Sequence, residues 1–191
     1  MRTMNGVLNH PTPCNAVQAA EPAMRELFKG AFRRHAAGVA IITAEGEHGP
    51  VALTATSVIS VSADPPVLAF SLSADSSSAT HIKAAKSLVV HLLQAEQLDI
   101  ARLCATSGAD RFSDTSKWKR LPSGEPVLID APVWIRGTII DQMDIHGSTL
   151  VAVRASEISA TRANQSGDEA SPLIYHDRAW HALSDTSRLQ T

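Results

Sequence analysis

Three short strand-like runs follow one another almost without pause near the start of the chain. Val39-Ala40-Ile41-Ile42-Thr43 leads into the turn Glu45-Gly46-Glu47-His48-Gly49-Pro50. Residues 51–62 form a second run rich in Val, Ile, Thr and Ser, and Asp64-Pro65-Pro66 separates it from Val67-Leu68-Ala69-Phe70-Ser71-Leu72. β-Branched stretches bounded by Gly, Pro and Asp mark strands. A parallel pair needs a crossover of about a dozen residues or more, and these connections leave no room for one. The strands must pair antiparallel, which makes the chain mainly β.

A helical pattern opens at Glu21-Pro22, where proline is tolerated, and carries Met24, Leu27, Phe28, Ala31 and Phe32 at helical spacing. Gly38 is its expected stop, and Lys29, Arg33 and Arg34 suit the negative end of the helix dipole. Residues 75–86 read as a short helix opened by Ser76-Ser77-Ser78, and residues 87–93 as a buried strand. A second short helix is expected over 94–105, with Leu98, Ala101 and Leu103 inward and Cys104 in the core. Residues 106–132 are polar and rich in turns. Two long strands, 133–145 and 148–158, meet at His146-Gly147, a candidate hairpin. After a Gly, Asn and Ser loop, residues 172–175 and 179–183 form a last short hairpin. The sum is a strand-dominated barrel with three helices. The expected organisation is a flexible arm over residues 1–20, one domain over 21–185 and a tail over 186–191.

Composition narrows the class further. A chain of 191 residues buries roughly 70% of its unfolded surface, so it needs neither disulfide nor metal to hold it. Seventeen Lys and Arg against nineteen Asp and Glu give a net charge of -2, which argues against a nucleic-acid binder with its basic face. The two cysteines, Cys14 and Cys104, belong to no C-x-x-C pair, as befits free thiols in a reducing compartment. No apolar run approaches the roughly 18 residues needed to span a bilayer, and the N-terminus lacks a charged segment followed by an apolar one. The expectation is a soluble cytoplasmic protein with neither nucleic acid nor membrane as partner.

The common catalytic signatures do not occur. There is no G-x-G-x-x-G after a strand, no Walker loop, no H-E-x-x-H and no G-x-S-x-G elbow. Eight histidines are present, none at metal-ligand spacing with Cys, Asp or Glu, so no metal site is expected. What does stand out is the run 54–66, where Thr54, Thr56, Ser57, Ser60 and Ser62 interrupt an otherwise apolar strand before Asp64-Pro65-Pro66. Ser76-Ser77-Ser78-Ala79-Thr80 follows at a helix start. Free N–H groups and a partial positive charge make helix N-termini receptive to phosphate. Together the two segments suggest a flat, hydrogen-bonding ligand along one strand with its phosphate at the next helix. The plainer alternatives are that Ser76 to Ser78 are N-caps and that the strand hydroxyls form a solvent face.

The run T-A-T-S-V-I-S-V-S-A-D-P-P-V-L resembles the flavin-binding signature of the flavin reductase-like, FMN-binding split-barrel family. Further segments agree in order: Phe32-Arg33-Arg34-His35-Ala36-Ala37-Gly38-Val39 with the strand after it, Ser87-Leu88-Val89-Val90-His91-Leu92-Leu93 with Gln97 and Ala101, Asp110-Arg111-Phe112 with Trp118, Gly124 and Pro126-Val127-Leu128, and Pro172-Leu173-Ile174-Tyr175 with Arg178. The resemblance covers roughly residues 24 to 183. The chain departs from the family pattern at Ala36-Ala37, where Pro and a hydroxyl residue are common, at His91 in place of Asn, and at Val153 in place of Gly. His146-Gly147-Ser148-Thr149 stands where the family has a Gly-Asp-His tip. These departures bear on pyridine-nucleotide contacts more than on the flavin.

The resemblance implies an antiparallel Greek-key split barrel that forms a homodimer and binds FMN (or FAD) near the interface. Thr54, Ala55, Thr56 and Ser57 would lie along the isoalloxazine edge, with Ser60 and Ser62 beside the ribityl chain. Ser77, Ser78 and Thr80 would take the phosphate, with Lys83 in support unless it is merely an exposed helix lysine. Arg111 would contact a nucleotide phosphate, or else pair with Asp110 at the surface. His146 would face the nicotinamide, or simply cap an exposed turn. Tyr175 and Trp180 read as packing aromatics. The implied activity is NAD(P)H:flavin oxidoreduction, with NADH or NADPH as co-substrate and reduced flavin supplied to a separate oxygenase component. The alternatives are a flavin-binding protein without NAD(P)H turnover and another split-barrel oxidoreductase.

Overall fold

The computed structural model describes residues 21–160 and 171–189. The expected arm over residues 1–20 with Cys14, the loop at 161–170 and the last two residues of the expected tail lie outside the described residues. By its contacts the chain divides into two units, residues 1–34 and 35–191.

The first unit contributes α1 (Glu21–Arg33), with Glu21 in its first turn and Arg33 in its last, as the dipole favours. Its apolar residues fall along one side, Phe28 and Phe32 placing their rings 4.7 Å apart, and none of its residues is buried. The helix ends at Arg33, well before Gly38, the expected stop.

The second unit contains β1 (Ala37–Gly38), β2 (Ala40–Gly46), β3 (Gly49–Ala55), β4 (Ile59–Ala63), β5 (Pro66–Ser73), α2 (Ala79–Ala84) and β6 (Ser87–Leu92). After them come α3 (Leu98–Ala105), β7 (Trp118–Arg120), β8 (Pro126–Leu128), β9 (Val133–Ile145), β10 (Ser148–Ala160), β11 (Leu173–His176) and β12 (Ala179–Ala182). Seven strands form one antiparallel sheet in the order β3-β2-β6-β9-β10-β5-β4. Consecutive strands β3 and β4 occupy its opposite edges, so the chain crosses between them.

Inward residues from one edge (Leu53, Ala55) and from beside the other (Leu68, Phe70, Leu72) share a single core with Ile42, Val90, Val151 and Val153. The sheet is therefore rolled into a barrel, and Ala79 and Ile82 of α2 pack into the same core. No ladder joins β3 to β5. Instead Ser57 bridges the gap, its hydroxyl donating to the Ser71 carbonyl at 3.1 Å and accepting from the Ser71 N–H at 2.9 Å. This is a split antiparallel barrel, as expected.

A second core lies under α3, where Ile100, Ala101 and Cys104 meet Val39, Ile41, Ala52, Leu128 and Leu173. Tyr175 and Trp180 pack at its edge with ring centroids 5.0 Å apart. Cys104 is a core residue, and burial pushes its thiol pKa up to about 12 against the opposing pull of Arg111. His91 is fully buried: Nδ1–H donates to the Ile41 carbonyl at 3.0 Å and Nε2 accepts from the Leu128 N–H at 3.1 Å. Burial lowers its pKa to about 4, against the smaller opposing effect of the Ile41 bond. An asparagine amide offers the same donor and acceptor pair, which accounts for the exchange at this position.

Glu125, only 2% exposed, is held by Arg136 at 2.9 Å and by the hydroxyls of Ser87 and Ser123. Burial alone would raise its pKa, but those three partners outweigh it and bring the carboxyl down to about 2.

The structure alters several sequence expectations. Residues 51–62 are two strands, broken at 56–58, because β3 and β4 belong to opposite edges. The helix expected over 75–86 is reduced to six residues, since turns occupy the serine stretch before it. Residues 94–105 divide into a 3-10 turn (Ala95–Gln97) and α3, whose buried positions are Ile100, Ala101 and Cys104. The hairpin at His146-Gly147 is present, with φ of 41° and 81° at the two central residues, the positive values that a two-residue turn requires. No helix among the described residues is long and apolar enough to cross a membrane.

Candidate functional site

A cavity of about 220 Å³ opens in the seam between β3 and β5. Its walls are Leu53, Thr54 and Ala55 of β3, Thr56 and Ser57 in the break, Ser71, Leu72 and Ser73 of β5, and Ser76 beyond. None of these residues is charged, and six carry a hydroxyl. Chain geometry explains the opening. Crossing from one edge of the barrel to the other, the backbone leaves β3 at Thr56, and no neighbouring strand fills the gap.

The hydroxyls fall into two groups. Some hold the wall together: Thr54 donates to the Ala101 carbonyl of α3 at 2.6 Å, Ser57 bridges to Ser71, and Ser73 accepts from the Asp75 N–H at 3.3 Å. The side-chain hydroxyls of Thr56, Ser71 and Ser76 have no hydrogen-bonding partner among the described residues, nor do those of Ser77 and Thr80 just outside. The backbone N–H groups of Ser77, Ser78 and Thr80 likewise find no acceptor there. Polar groups beside a cavity that the protein leaves unsatisfied are available to a ligand.

The other sequence-singled residues take varied places. Ser60 and Ser62 lie on edge strand β4, either side of a register shift, and do not line the cavity. Ser78 sits at the N-cap position of α2 without capping it; it is buried, donates to the Ala52 carbonyl at 3.0 Å and accepts from Arg111 at 3.4 Å. Arg111 also donates to the Cys104 and Thr106 carbonyls at the end of α3. The Asp110 carboxylate accepts from the Phe112 N–H. Lys83 meets Asp144 at 2.9 Å and Thr149 at 3.0 Å, and it helps hold the Asp144 pKa below the usual carboxylate range after the Thr149 hydroxyl. His146 is exposed at the β9–β10 tip, which the Gly147 carbonyl ties to the Ala74 N–H at 2.9 Å. That bond brings the tip beside the loop that follows Ser73.

Ser71 and Ser73 carry only a weak signal in the sequence. Their signal is alternation: on β5 they face away from Phe70 and Leu72, which read as core, so they pass for an ordinary solvent face. Among the described residues, no group of three or more His, Cys, Asp and Glu stands where it could hold a metal ion.

Comparison with known proteins gives this geometry a context. Residues 32–184 match the flavin reductase like domain family. The chain belongs to that family. An NADH:FMN oxidoreductase of Rhodococcus qingshengii is 38% identical over 182 residues, covering 93% of this chain and 94% of that protein. The crystal structure of a flavin reductase domain protein from Arthrobacter sp. FB24 superposes with a TM-score of 0.78 at 33% identity, covering 87% and 98% of the two chains. BorF, the flavin reductase component of a bacterial two-component tryptophan halogenase, superposes with a TM-score of 0.72 at 26% identity, covering 84% and 99%.

The seam fits the flavin expected of the family. An uncharged slot lined by hydroxyls suits a neutral, hydrogen-bonding ring, and free N–H donors beside Ser77 and Thr80 suit a phosphate.

Proposed function

We propose that this protein is an NAD(P)H:flavin oxidoreductase that supplies reduced FMN or FAD to a separate oxygenase component. The observation that carries the reading is the β3–β5 seam, an uncharged cavity whose Thr56, Ser71 and Ser76 hydroxyls lack internal partners, in a chain of this family. A bound flavin would accept a hydride from NAD(P)H.

The chain's own task is to align two rings and keep water away, so no side-chain nucleophile is needed. The Thr56 hydroxyl and the backbone of residues 54–57 face the ring edge, whereas Ser60 and Ser62, on β4 outside the cavity, are left out of the proposed site. Ser77, Thr80 and the nearby N–H groups take the phosphate. Ser78 shapes that cradle from behind through Ala52 and Arg111. Lys83, paired with Asp144, adds charge at longer range. Donors without a dense cationic clamp favour release, which suits a protein that hands its product on. His146, on the tip beside Ala74, is the proposed contact for the nicotinamide.

The reading includes a homodimer and a cytoplasmic location. Support for the dimer is the apolar outer face of β4, β5, β9 and β10, which also carries Ser71 and Ser73 of the seam. We assign the folded domain to residues 21–185.

The test compares FMN with riboflavin, which lacks the phosphate. Thr80→Ala raises the FMN Kd by about 3- to 10-fold, the effect of one hydrogen bond of about 1 kcal/mol, and leaves riboflavin unchanged. Equal effects on both ligands, or none, remove the phosphate assignment. Steady-state oxidation of NADH and NADPH with FMN and FAD tests the activity. Flavin uptake without oxidation of either nucleotide would show a binding protein, the outcome that the altered 146–149 tip would explain.

A further inference from the structure

The β9–β10 hairpin outruns its support. β6 pairs with β9 only over residues 133–138, and Ile140 bulges out of the β10 ladder just beyond. Among the described residues, 141–145 therefore have a strand neighbour on the β10 side alone. Backbone held on one side opens more readily than backbone held on both, and this free edge leads straight into the 146–149 tip.

Side chains take over where the ladder stops. Gln142 and Asp144 stand opposite Val151 and Thr149, and cross-strand partners share a face. It is the barrel side, where Val151 shares the core with Ile82 of α2. The Gln142 amide donates to the Lys83 carbonyl at 3.0 Å, one of the last carbonyls of α2, which a helix leaves unpaired. The Lys83 ammonium reaches back to the Asp144 carboxylate at 2.9 Å and to the Thr149 hydroxyl at 3.0 Å. Thr149 in turn donates to Asp144 and is only 5% exposed, so the cluster is rooted in the barrel. Lys83 is thus bonded to both strands, one on either side of the tip.

The tip itself adjoins the seam. Ser148 pairs with Ser73 of the cavity wall, next to the bond from the Ala74 N–H to the Gly147 carbonyl. At its other end α2 starts beside the same wall, where the Ala79 N–H donates to the Ser76 carbonyl at 3.0 Å. One helix of six residues joins the cavity wall to the back of the tip.

We propose that Lys83 is a positioning residue for the nicotinamide nucleotide: through Gln142, Asp144 and Thr149 it fastens the 146–149 tip to α2 and so sets how the tip meets that nucleotide. This deepens the proposed activity and rests on the tip as the nicotinamide contact. The Lys83–Asp144 pair is 34% and 76% exposed on its two side chains, and an ion pair so open to water adds little stability. Its effect is on place, and small displacements of a docking group are costly even far from the reacting atoms.

The experiment follows steady-state oxidation of NADH or NADPH, whichever the wild type prefers, by the full chain at saturating FMN. The Kd values of FMN and riboflavin are measured separately. Asp144→Ala and Thr149→Val each raise the nucleotide KM about 3- to 10-fold and leave kcat within about twofold, the pattern of lost binding rather than lost chemistry. Both flavin Kd values and the urea midpoint stay close to wild type. Thr149→Ser, which keeps the hydroxyl, keeps the wild-type KM. The Ala74 amide, bonded to the tip, exchanges its hydrogen about tenfold faster in the two damaging variants.

Asp144→Ala also separates this role from the charge that Lys83 lends a phosphate. If charge is the whole role, the freed ammonium tightens FMN and leaves the nucleotide KM alone, which overturns the proposal. A KM that rises only in step with the FMN Kd overturns it too, as does a Thr149→Ser variant as damaged as Thr149→Val. A wild-type chain that oxidises neither nucleotide overturns the activity reading instead. The fastening of the tip is then judged by Ala74 exchange, and unchanged exchange in the variants sinks it.

Discussion

Two polar regions of the same barrel are built on opposite plans. Around Glu125 and His91, every polar atom meets a protein partner: the carboxylate has Arg136, Ser87 and Ser123, and both imidazole nitrogens have backbone partners. Along the seam, Thr56, Ser71 and Ser76 face a cavity without a protein partner. Burial with full satisfaction marks a residue that holds the fold; an exposed hydroxyl beside a cavity bonds water and can exchange that water for a ligand. The residue types hardly differ, since both regions use serine. Their partners tell them apart.

The sharpest way to break this contrast is Glu125→Ala, which strands the Arg136 guanidinium without its partner. Removing one member of a buried pair costs about 3–5 kcal/mol, read as a lower urea midpoint, while flavin affinity of the folded fraction stays unchanged. A fall in affinity without loss of stability would reverse the assignment of this region.

His91 is the next largest. Its folded pKa of about 4 lies below the ordinary value of about 6.5, so the unfolded chain binds a proton that the folded chain excludes. Above pH 6.5 both states are neutral and the group contributes no pH dependence. As pH falls from 6.5 to 4, stability declines by about 3 kcal/mol and then levels off. Urea titrations across that range should show the slope, and His91→Asn should flatten it.

A smaller effect divides the seam itself. Thr54→Val removes the bond to Ala101 and leaves that carbonyl short of a donor, costing about 1 kcal/mol of stability. The smallest is Ser76→Ala, which leaves stability within about 0.5 kcal/mol and weakens flavin binding by about 0.5–1.5 kcal/mol. If Ser76→Ala instead destabilises the fold with affinity intact, the seam belongs to the same plan as the Glu125 region.

Much of the architecture was legible because it is local. β-Branched runs and the Asp64-Pro65-Pro66 turn announce the early strands, His146-Gly147 announces the long hairpin, and the residues 54–57 announce one wall of the seam. What escaped depends on distant neighbours. The break at 56–58 follows from the placing of β3 and β4 at opposite edges, which no window of sequence records. Ser71 and Ser73 become a second wall only because β5 lies across from β3. Ser78, in a serine run that read as phosphate ligand or N-cap, is claimed by Ala52 and Arg111, far away along the chain. Glu125 and Arg136 carry no periodic sign that they meet. A lone acid directly before the apolar Pro126-Val127-Leu128 is the one hint, and it points to burial rather than to its partner.

The single stitch that Ser57 makes across to Ser71 has a kinetic consequence. A wall closed by a strand ladder opens only when a whole row of bonds parts together, whereas this one parts when one side chain rotates. Guests can therefore enter and leave sideways without loosening the barrel, and the Ser71 amide should exchange its hydrogen faster in the empty protein than when the slot is filled.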